Sequence, residues 1–141
     1  MNFFAELKSS VWAYPALEVA HICGIALLLG NLVLLELRVF GRGAALNVKA
    51  LASLSLGIAG VGFCLAALSG LLMFASQAAE LLTNRVFTLK MILLMLAGCN
   101  AAWFHGRASL EKLDLTARLQ MLVSGFIWLA VVACGRLIAY V

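Results

Sequence analysis

The sequence predicts an all-α integral membrane protein, a four-helix up-down bundle formed by a single transmembrane domain over residues 1–141. Hydrophobic residues make up 65% of the chain and charged residues only 11%, whereas a soluble domain averages about 45–50% and about 25%. The mean hydropathy is correspondingly high, at +1.10. Four apolar segments each reach the roughly 20 residues that a spanning helix needs, and only short polar breaks separate them.

The four predicted spans follow one another along the whole chain, at residues 12–37, 50–78, 87–106 and 119–140. Glycine, asparagine or clustered charges mark the breaks between them, at residues 41–43, 83–85 and 107–118. Short connections favour antiparallel neighbours in the bundle. The first residues lack the basic leader and the small-residue cleavage site of a secretory signal, so we expect the first span to be retained.

Positive charge is distributed unequally between the two ends of the predicted bundle. The first and third loops carry Arg38, Arg42, Lys49, Arg107, Lys112 and Arg118. The opposite side carries Lys8, Arg85, Lys90 and Arg136. The positive-inside rule therefore predicts that both termini lie on the non-cytoplasmic side. Topology also accounts for the net charge of +4. Nucleic-acid binding is not indicated, because the chain has no basic run with interleaved aromatic residues.

His21 is the most informative residue because it lies inside the first apolar segment. Ionisable side chains in lipid cost roughly 2.5–3.5 kcal/mol on insertion scales, and they commonly mark functional sites. Glu18 lies three residues before His21 and Gly24 three residues after it, so the three share one helical stripe with Tyr14 nearby. A histidine beside a glycine, on a helix that faces other helices, is the arrangement that a flat, metal-bearing ring would need.

Two basic residues from other spans are expected near the depth of His21. A rise of about 1.5 Å per residue places Glu18 about 10 Å and His21 about 13 Å inside the outer boundary. Arg136 lies near the outer end of the fourth span, and Lys90 lies near the start of the third. The sequence therefore predicts an outer cluster of Tyr14, Glu18, His21, Lys90 and Arg136.

Two interpretations of this cluster stay open. In the structural one, Glu18 pairs with Arg136, His21 hydrogen-bonds within the bundle, and the Lys90 amine extends to the membrane surface. In the functional one, the cluster is a haem b site in which His21 ligates the iron and Gly24 leaves space for the macrocycle. Arg136 and Lys90 then meet the propionates near the aqueous face.

His105 is the second candidate haem and metal ligand, close to the inner end of the third span. It is expected about 27 Å from the outer boundary, against about 13 Å for His21. One haem ligated by both histidines would therefore require a displaced or tilted third helix. A five-coordinate haem on His21, a different sixth ligand and a separate site at His105 are the alternatives.

Other chemistries find little support in the chain. The four cysteines occur one per apolar segment without a C-x-x-C pair or a zinc spacing, and a buried free cysteine behaves as a small hydrophobe. The sequence contains no metalloprotease motif, nucleophile elbow or phosphate loop. It also lacks the paired carboxylates that an ion-driven transporter commonly uses.

Three runs carry a resemblance that covers nearly the whole chain. They are Trp12-x-Tyr14-Pro15-x-x-Glu18-x-x-His21-x-x-Gly24, Lys90 with Asn100-x-x-x-Phe104-His105, and Gly135-Arg136-Leu-Ile-Ala-Tyr140. The chain resembles an uncharacterised family of small four-helix bacterial inner-membrane proteins, which implies a fold and a compartment but no established activity. More loosely, the first run is similar to copper-resistance-D-like membrane proteins and to HemJ-type protoporphyrinogen oxidases. Since HemJ-type proteins carry haem b, this similarity implies that His21 is a haem ligand.

Three functional hypotheses follow. The leading one is a b-type cytochrome-like inner-membrane protein that uses a bound haem for electron transfer or for oxidation of a membrane-soluble partner, such as a quinone or another membrane redox protein. The second is a non-enzymatic membrane subunit whose polar cluster fixes helix packing or binds a partner. The third is copper handling, which rests on the loose similarity and on scattered soft ligands. Association into a homo-oligomer is compatible with each.

Overall fold

A computed structural model describes residues 2–141, and all regular structure in that range is helical. Its helices are α1 (Phe3–Ser9), α2 (Ala13–Val39), α3 (Val48–Ser76), α4 (Ala78–Thr83), α5 (Arg85–Gly106), α6 (Ser109–Lys112) and α7 (Leu115–Leu137). Four of these helices, α2, α3, α5 and α7, are long and apolar enough to cross a membrane. The predicted all-α four-helix membrane bundle is therefore confirmed.

Side-chain caps determine where three of the spans begin. Asn47, Asn84 and Asp114 each accept a hydrogen bond from a backbone N–H that starts the following helix. Such caps satisfy N–H groups that have no partner inside the helix. Consequently α3, α5 and α7 begin slightly before the predicted residues 50, 87 and 119, and the breaks contain two short helices, α4 and α6, that periodicity did not predict.

The spans form two hairpins. Helix α2 packs most extensively on α3, and α5 packs on α7, while the hairpins meet mainly where α2 contacts α7. The expectation of antiparallel neighbours holds for both hairpins, but α3 and α5 make little contact along their lengths. Their connection contains α4 rather than a tight turn, and the stacked rings of Phe74 and Phe87, with centroids 5.4 Å apart, join them near it.

One end of the bundle, the termini end, brings together α1, α4 and the C-terminus of α7. The Lys8 ammonium lies 2.7 Å from the Glu80 carboxylate, which joins α1 to α4. The Asn84 amide donates to the backbone carbonyl of Ile138 at 3.4 Å. Helix α1 and the C-terminal residues therefore lie at the same end, as the up-down topology requires.

The opposite end, the loop end, contains a compact apolar cluster covered by a polar network. The cluster consists of Leu35, Val39, Ala52, Phe104, Ala117 and Met121. In the network, Arg107 contacts Asp114 at 3.0 Å. The buried Gln120 side-chain oxygen accepts from Ser109 Oγ at 2.8 Å and from Arg107 Nη1 at 3.3 Å. These contacts fix the turn around α6 onto the start of α7.

Helices α2 and α3 approach each other very closely at two glycines. A Cβ atom on Gly24 would lie 2.6 Å from Ala66 N and from Gly62 O, and one on Gly62 would lie 2.6 Å from Gly24 O. Real Cβ atoms do not approach backbone atoms so closely, so the two backbones touch only because both positions are glycine. Small residues commonly permit this kind of contact between helices in lipid.

We predict that Gly24→Ala destabilises the bundle by about 1–3 kcal/mol, the usual range for overpacking. The added methyl would meet α3 backbone atoms, which cannot move aside as a side-chain end can. Gly30→Ala is the matched control on α2, because nothing lies within 4 Å of the position of its added methyl. Thermal unfolding in detergent measures both variants, and equal melting temperatures would contradict the proposed contact.

A second prediction concerns acid stability. The N–H of Ala117 and then the Arg107 guanidinium lower the pKa of Asp114 below its usual value. This lower pKa stabilises the folded protein. The stabilisation is fully present above the Asp114 pKa of the unfolded chain, about 3.9, and it is lost as the pH falls through the lower pKa of the folded state. We expect Asp114→Asn to lose less thermal stability than the wild type between pH 5 and pH 2.5. Glu6→Gln, which changes an exposed carboxyl, is the control, and superimposable wild-type and Asp114→Asn profiles would refute the prediction.

Candidate functional site

His21 lies half-buried on the face of α2 that packs against α3. Its Nδ1 atom is 2.8 Å from the backbone oxygen of Ala66 and 3.2 Å from Ser69 Oγ. A carbonyl oxygen can only accept, so Nδ1 carries the hydrogen and donates it. In the neutral ring, Nε2 therefore holds an unprotonated lone pair.

The Nε2 atom of His21 is free to act as a ligand. It makes no hydrogen bond to any side chain or backbone group in residues 2–141. Nor is it sealed inside the protein, because the one buried and unpartnered side-chain nitrogen or oxygen in that range is Gln120 Nε2. Metal-binding histidines usually have this arrangement, in which the second ring nitrogen donates to a carbonyl and orients the ring.

Two glycines of the α2–α3 interface lie close to this hydrogen bond, and they have different roles. A Cβ on Gly70 would lie 3.2 Å from His21 Cε1, so this glycine of α3 makes room for the ring. Gly24 was expected to leave space for a macrocycle, and the structure corrects that role. The backbone of α3 at Gly62 and Ala66 fills the space beside it. Gly24 thus brings the hairpin together and leaves no opening of its own.

The expected ion pair between Glu18 and Arg136 does not form. Among residues 2–141 neither side chain takes part in an ion pair. Arg136 Nη2 instead donates to the Tyr140 hydroxyl at 2.6 Å, and its guanidinium carbon lies 5.0 Å from the centroid of that ring. Tyr140 lies one helical turn further on, so it is within reach without any adjustment of the helices. Glu18 is exposed.

Tyr14 belongs to a separate contact at the termini end. Its hydroxyl accepts a hydrogen bond from the Gln77 amide, which joins the first turn of α2 to the residue between α3 and α4. The geometry assigns Tyr14 to the closure of the α2–α3 hairpin, and it makes no hydrogen bond to His21.

Lys90, another member of the predicted cluster, lies inside the bundle between α5 and α7. It is half-buried on α5, and its Nζ atom lies 3.3 Å from where a Cβ on Gly135 of α7 would stand. No hydrogen bond or ion pair in residues 2–141 compensates the Lys90 charge. An uncompensated ammonium inside a span attracts an anionic group.

His105 lies at the loop end, away from His21. It is exposed, and it lines a cavity of about 420 Å³ together with Lys49, Ser53 and Ser109. Helices α2 and α5 both start at the termini end, and His21 is much nearer its helix start than His105. The difference of twelve positions corresponds to about 18 Å along the bundle. One iron atom cannot bridge that distance, so the two histidines form no common site.

The described part of the chain shows no larger cluster of metal-ligating side chains beside these histidines. Residues 2–141 contain no group of three or more histidine, cysteine, aspartate or glutamate side chains placed to hold a metal ion. Cys23, Cys64 and Cys99 are exposed free thiols, and Cys134 is a buried one.

Glu36 is an ionisable residue that the sequence reasoning missed. It lies inside α2, half-buried, with its carboxylate against Gly125 of α7. Glu36 falls inside the predicted first span, residues 12–37, although it is not among the predicted site residues. The signal was available, because an ionisable residue within a predicted span is itself a reason to expect a functional site.

Comparison with known proteins gives no match: no family model fits the sequence, and no curated protein or solved structure is significantly similar to it.

We predict that nitrogen-15 NMR of selectively labelled protein identifies His21 as the neutral tautomer protonated at Nδ1. His21→Asn provides the assignment, and the exposed His105 provides an internal reference. Gly24→Ala should lose the Nδ1-protonated signal, because the α2–α3 contact holds the Ala66 carbonyl in place. A wild-type ring protonated at Nε2 alone would contradict the assigned hydrogen bond.

Proposed function

We propose that this chain is a b-type cytochrome-like protein of the bacterial inner membrane, with Nε2 of His21 as an axial ligand of haem b. The observation that carries the proposal is the hydrogen bond from His21 Nδ1 to the Ala66 carbonyl. It orients the ring and leaves the opposite nitrogen unprotonated, which is the state that binds iron.

The residues present fit a haem with one histidine ligand better than one with two. His21 offers the ligand atom, and Lys90 offers an uncompensated cation at a similar depth for a propionate. His105 lies too far along the bundle to complete the coordination. Arg136 is already engaged with Tyr140 and lies at the exposed end of α7.

The chain's own contribution is to hold and tune the ligand. The Ala66 carbonyl accepts the Nδ1 hydrogen, which increases the basicity of Nε2. Gly70 leaves room for the imidazole, so α3 supports the ring without crowding it. A bound haem would supply one-electron chemistry, suited to electron transfer or to oxidation of a membrane-soluble partner such as a quinone or another membrane redox protein.

A second candidate function rests on the same hydrogen bond. Because His21 already links α2 to α3 through Ala66 and Ser69, it can serve a membrane subunit purely as a cross-link between helices. In that case His21→Ala weakens the hairpin but affects no absorbance band. The two functions therefore differ in a spectrum rather than in stability.

The test is a reduced-minus-oxidised absorbance spectrum of protein purified after haem-supplemented expression. We expect a b-type α band in the wild type and loss of that band in His21→Ala, which removes the proposed iron ligand. His105→Ala is the matched control and should keep the band. A folded wild type without any band would reject the haem proposal and favour the structural subunit.

Lys90→Gln tests the neighbouring charge. It should keep the α band but retain less haem on dilution, because the amide preserves size while removing the cation that would pair with a propionate. Arg85→Gln is the control, since Arg85 is an exposed cation at the start of the same helix. Equal haem retention in the wild type and Lys90→Gln would remove Lys90 from the site.

A further inference from the structure

Glu36 lies at one end of a second cavity, far from His21. Its two carboxylate oxygens would be 3.2 and 3.3 Å from a Cβ on Gly125, so the missing side chain of that glycine gives the carboxylate its place between α2 and α7. Within residues 2–141 the carboxylate makes no ion pair. A carboxylate inside a membrane span without a cationic partner is costly, and it is usually paired or functional.

The cavity beside this carboxylate has a volume of about 230 Å³. Apart from Glu36 and Ser124 its lining is apolar, and it includes Leu29, Val33, Trp128 and Leu129. Leu29 lies two turns before Glu36 on α2, about 10 Å further from the loop end. The cavity therefore has one charged end near the loop end and an apolar body that extends toward the middle of the bundle.

We propose that this cavity binds a small amphiphilic amine, with the ammonium group on Glu36 and the hydrocarbon part against the apolar lining. Charge complementarity selects the head group, because Glu36 is the sole charged residue that lines the cavity. The indole of Trp128 adds a surface that attracts cations. The volume lies below the roughly 300–1,000 Å³ of drug-sized sites, so the ligand is a short alkyl or single-ring amine.

The polarity of the site also fixes the orientation of its ligand. Glu36 is three residues from the end of α2, so the ammonium would lie close to the membrane surface at the loop end. The hydrocarbon part would then enter the apolar interior, which is the direction an amphiphile already takes in a bilayer. An anionic or neutral amphiphile of equal length gains nothing from Glu36.

The probe is n-octylammonium, titrated into the full chain in phosphatidylcholine nanodiscs, with empty nanodiscs as the partition blank. We expect saturable binding to the wild type, at least about tenfold weaker binding to Glu36→Gln, and retained binding to Glu36→Asp. Gly125→Leu should also weaken binding, because it fills the cavity beside an intact carboxylate. Glu6→Gln, which removes an exposed carboxylate of α1, should bind like the wild type.

Uncharged n-octanol is the ligand control. It is titrated into the wild-type protein, so this comparison does not depend on the folding of any variant. Saturable binding of n-octylammonium but not of n-octanol supports the assigned role of the carboxylate. Equal binding of the two ligands, no saturable binding to the wild type, or unchanged binding to a folded Glu36→Gln would each overturn the proposal.

Discussion

The rest of the structure depends on the contact between the backbones of α2 and α3 at Gly24 and Gly62. Lipid removes the hydrophobic drive that packs helices in water, so helices in a membrane associate through close packing and interhelical hydrogen bonds. Two missing side chains permit that packing here. The hydrogen bond then follows from antiparallel geometry. One turn before Gly24 is His21, and one turn after Gly62 is Ala66, whose carbonyl meets the ring.

Glycines of α7 also make close contacts, in this case with charged side chains of neighbouring helices. Two of them face an ionisable group from a neighbouring helix, Gly135 toward Lys90 of α5 and Gly125 toward Glu36 of α2. In each case the absent side chain gives the charged group a place inside the bundle. The two charges lie at opposite ends and cannot neutralise each other. Each therefore has the capacity to bind a group of opposite charge, and the two proposed sites remain physically independent.

Hydropathy was sufficient to predict the fold class and the four spans, because a membrane span leaves a continuous apolar run in the sequence. His21 could be singled out for the same reason, as an ionisable residue within such a run. The Ala66 carbonyl could not be predicted as its hydrogen-bond partner, since a backbone carbonyl has no signature in the sequence. The helix order around the bundle was equally inaccessible, because it depends on which small-residue faces meet.

The site predictions that differ from the structure have local causes. Arg136 was expected to reach Glu18 across the bundle, but Tyr140 offers a partner one turn away on the same chain. Gly24 was read as an opening, although a glycine alone does not reveal whether a ligand or another helix occupies its space. Glu36 lies near the end of the predicted first span, and nothing in the sequence shows that its carboxylate meets a glycine of α7.

The most direct test of the account is to remove the imidazole and then supply it in solution. His21→Gly, purified without haem and mixed with haem in nanodiscs, should show no b-type α band, and added imidazole should restore it in a saturable manner. Imidazole would then take the position that the Ala66 carbonyl and Gly70 define. A wild type without a band under these conditions, or a full band in His21→Gly without imidazole, would contradict haem ligation by His21.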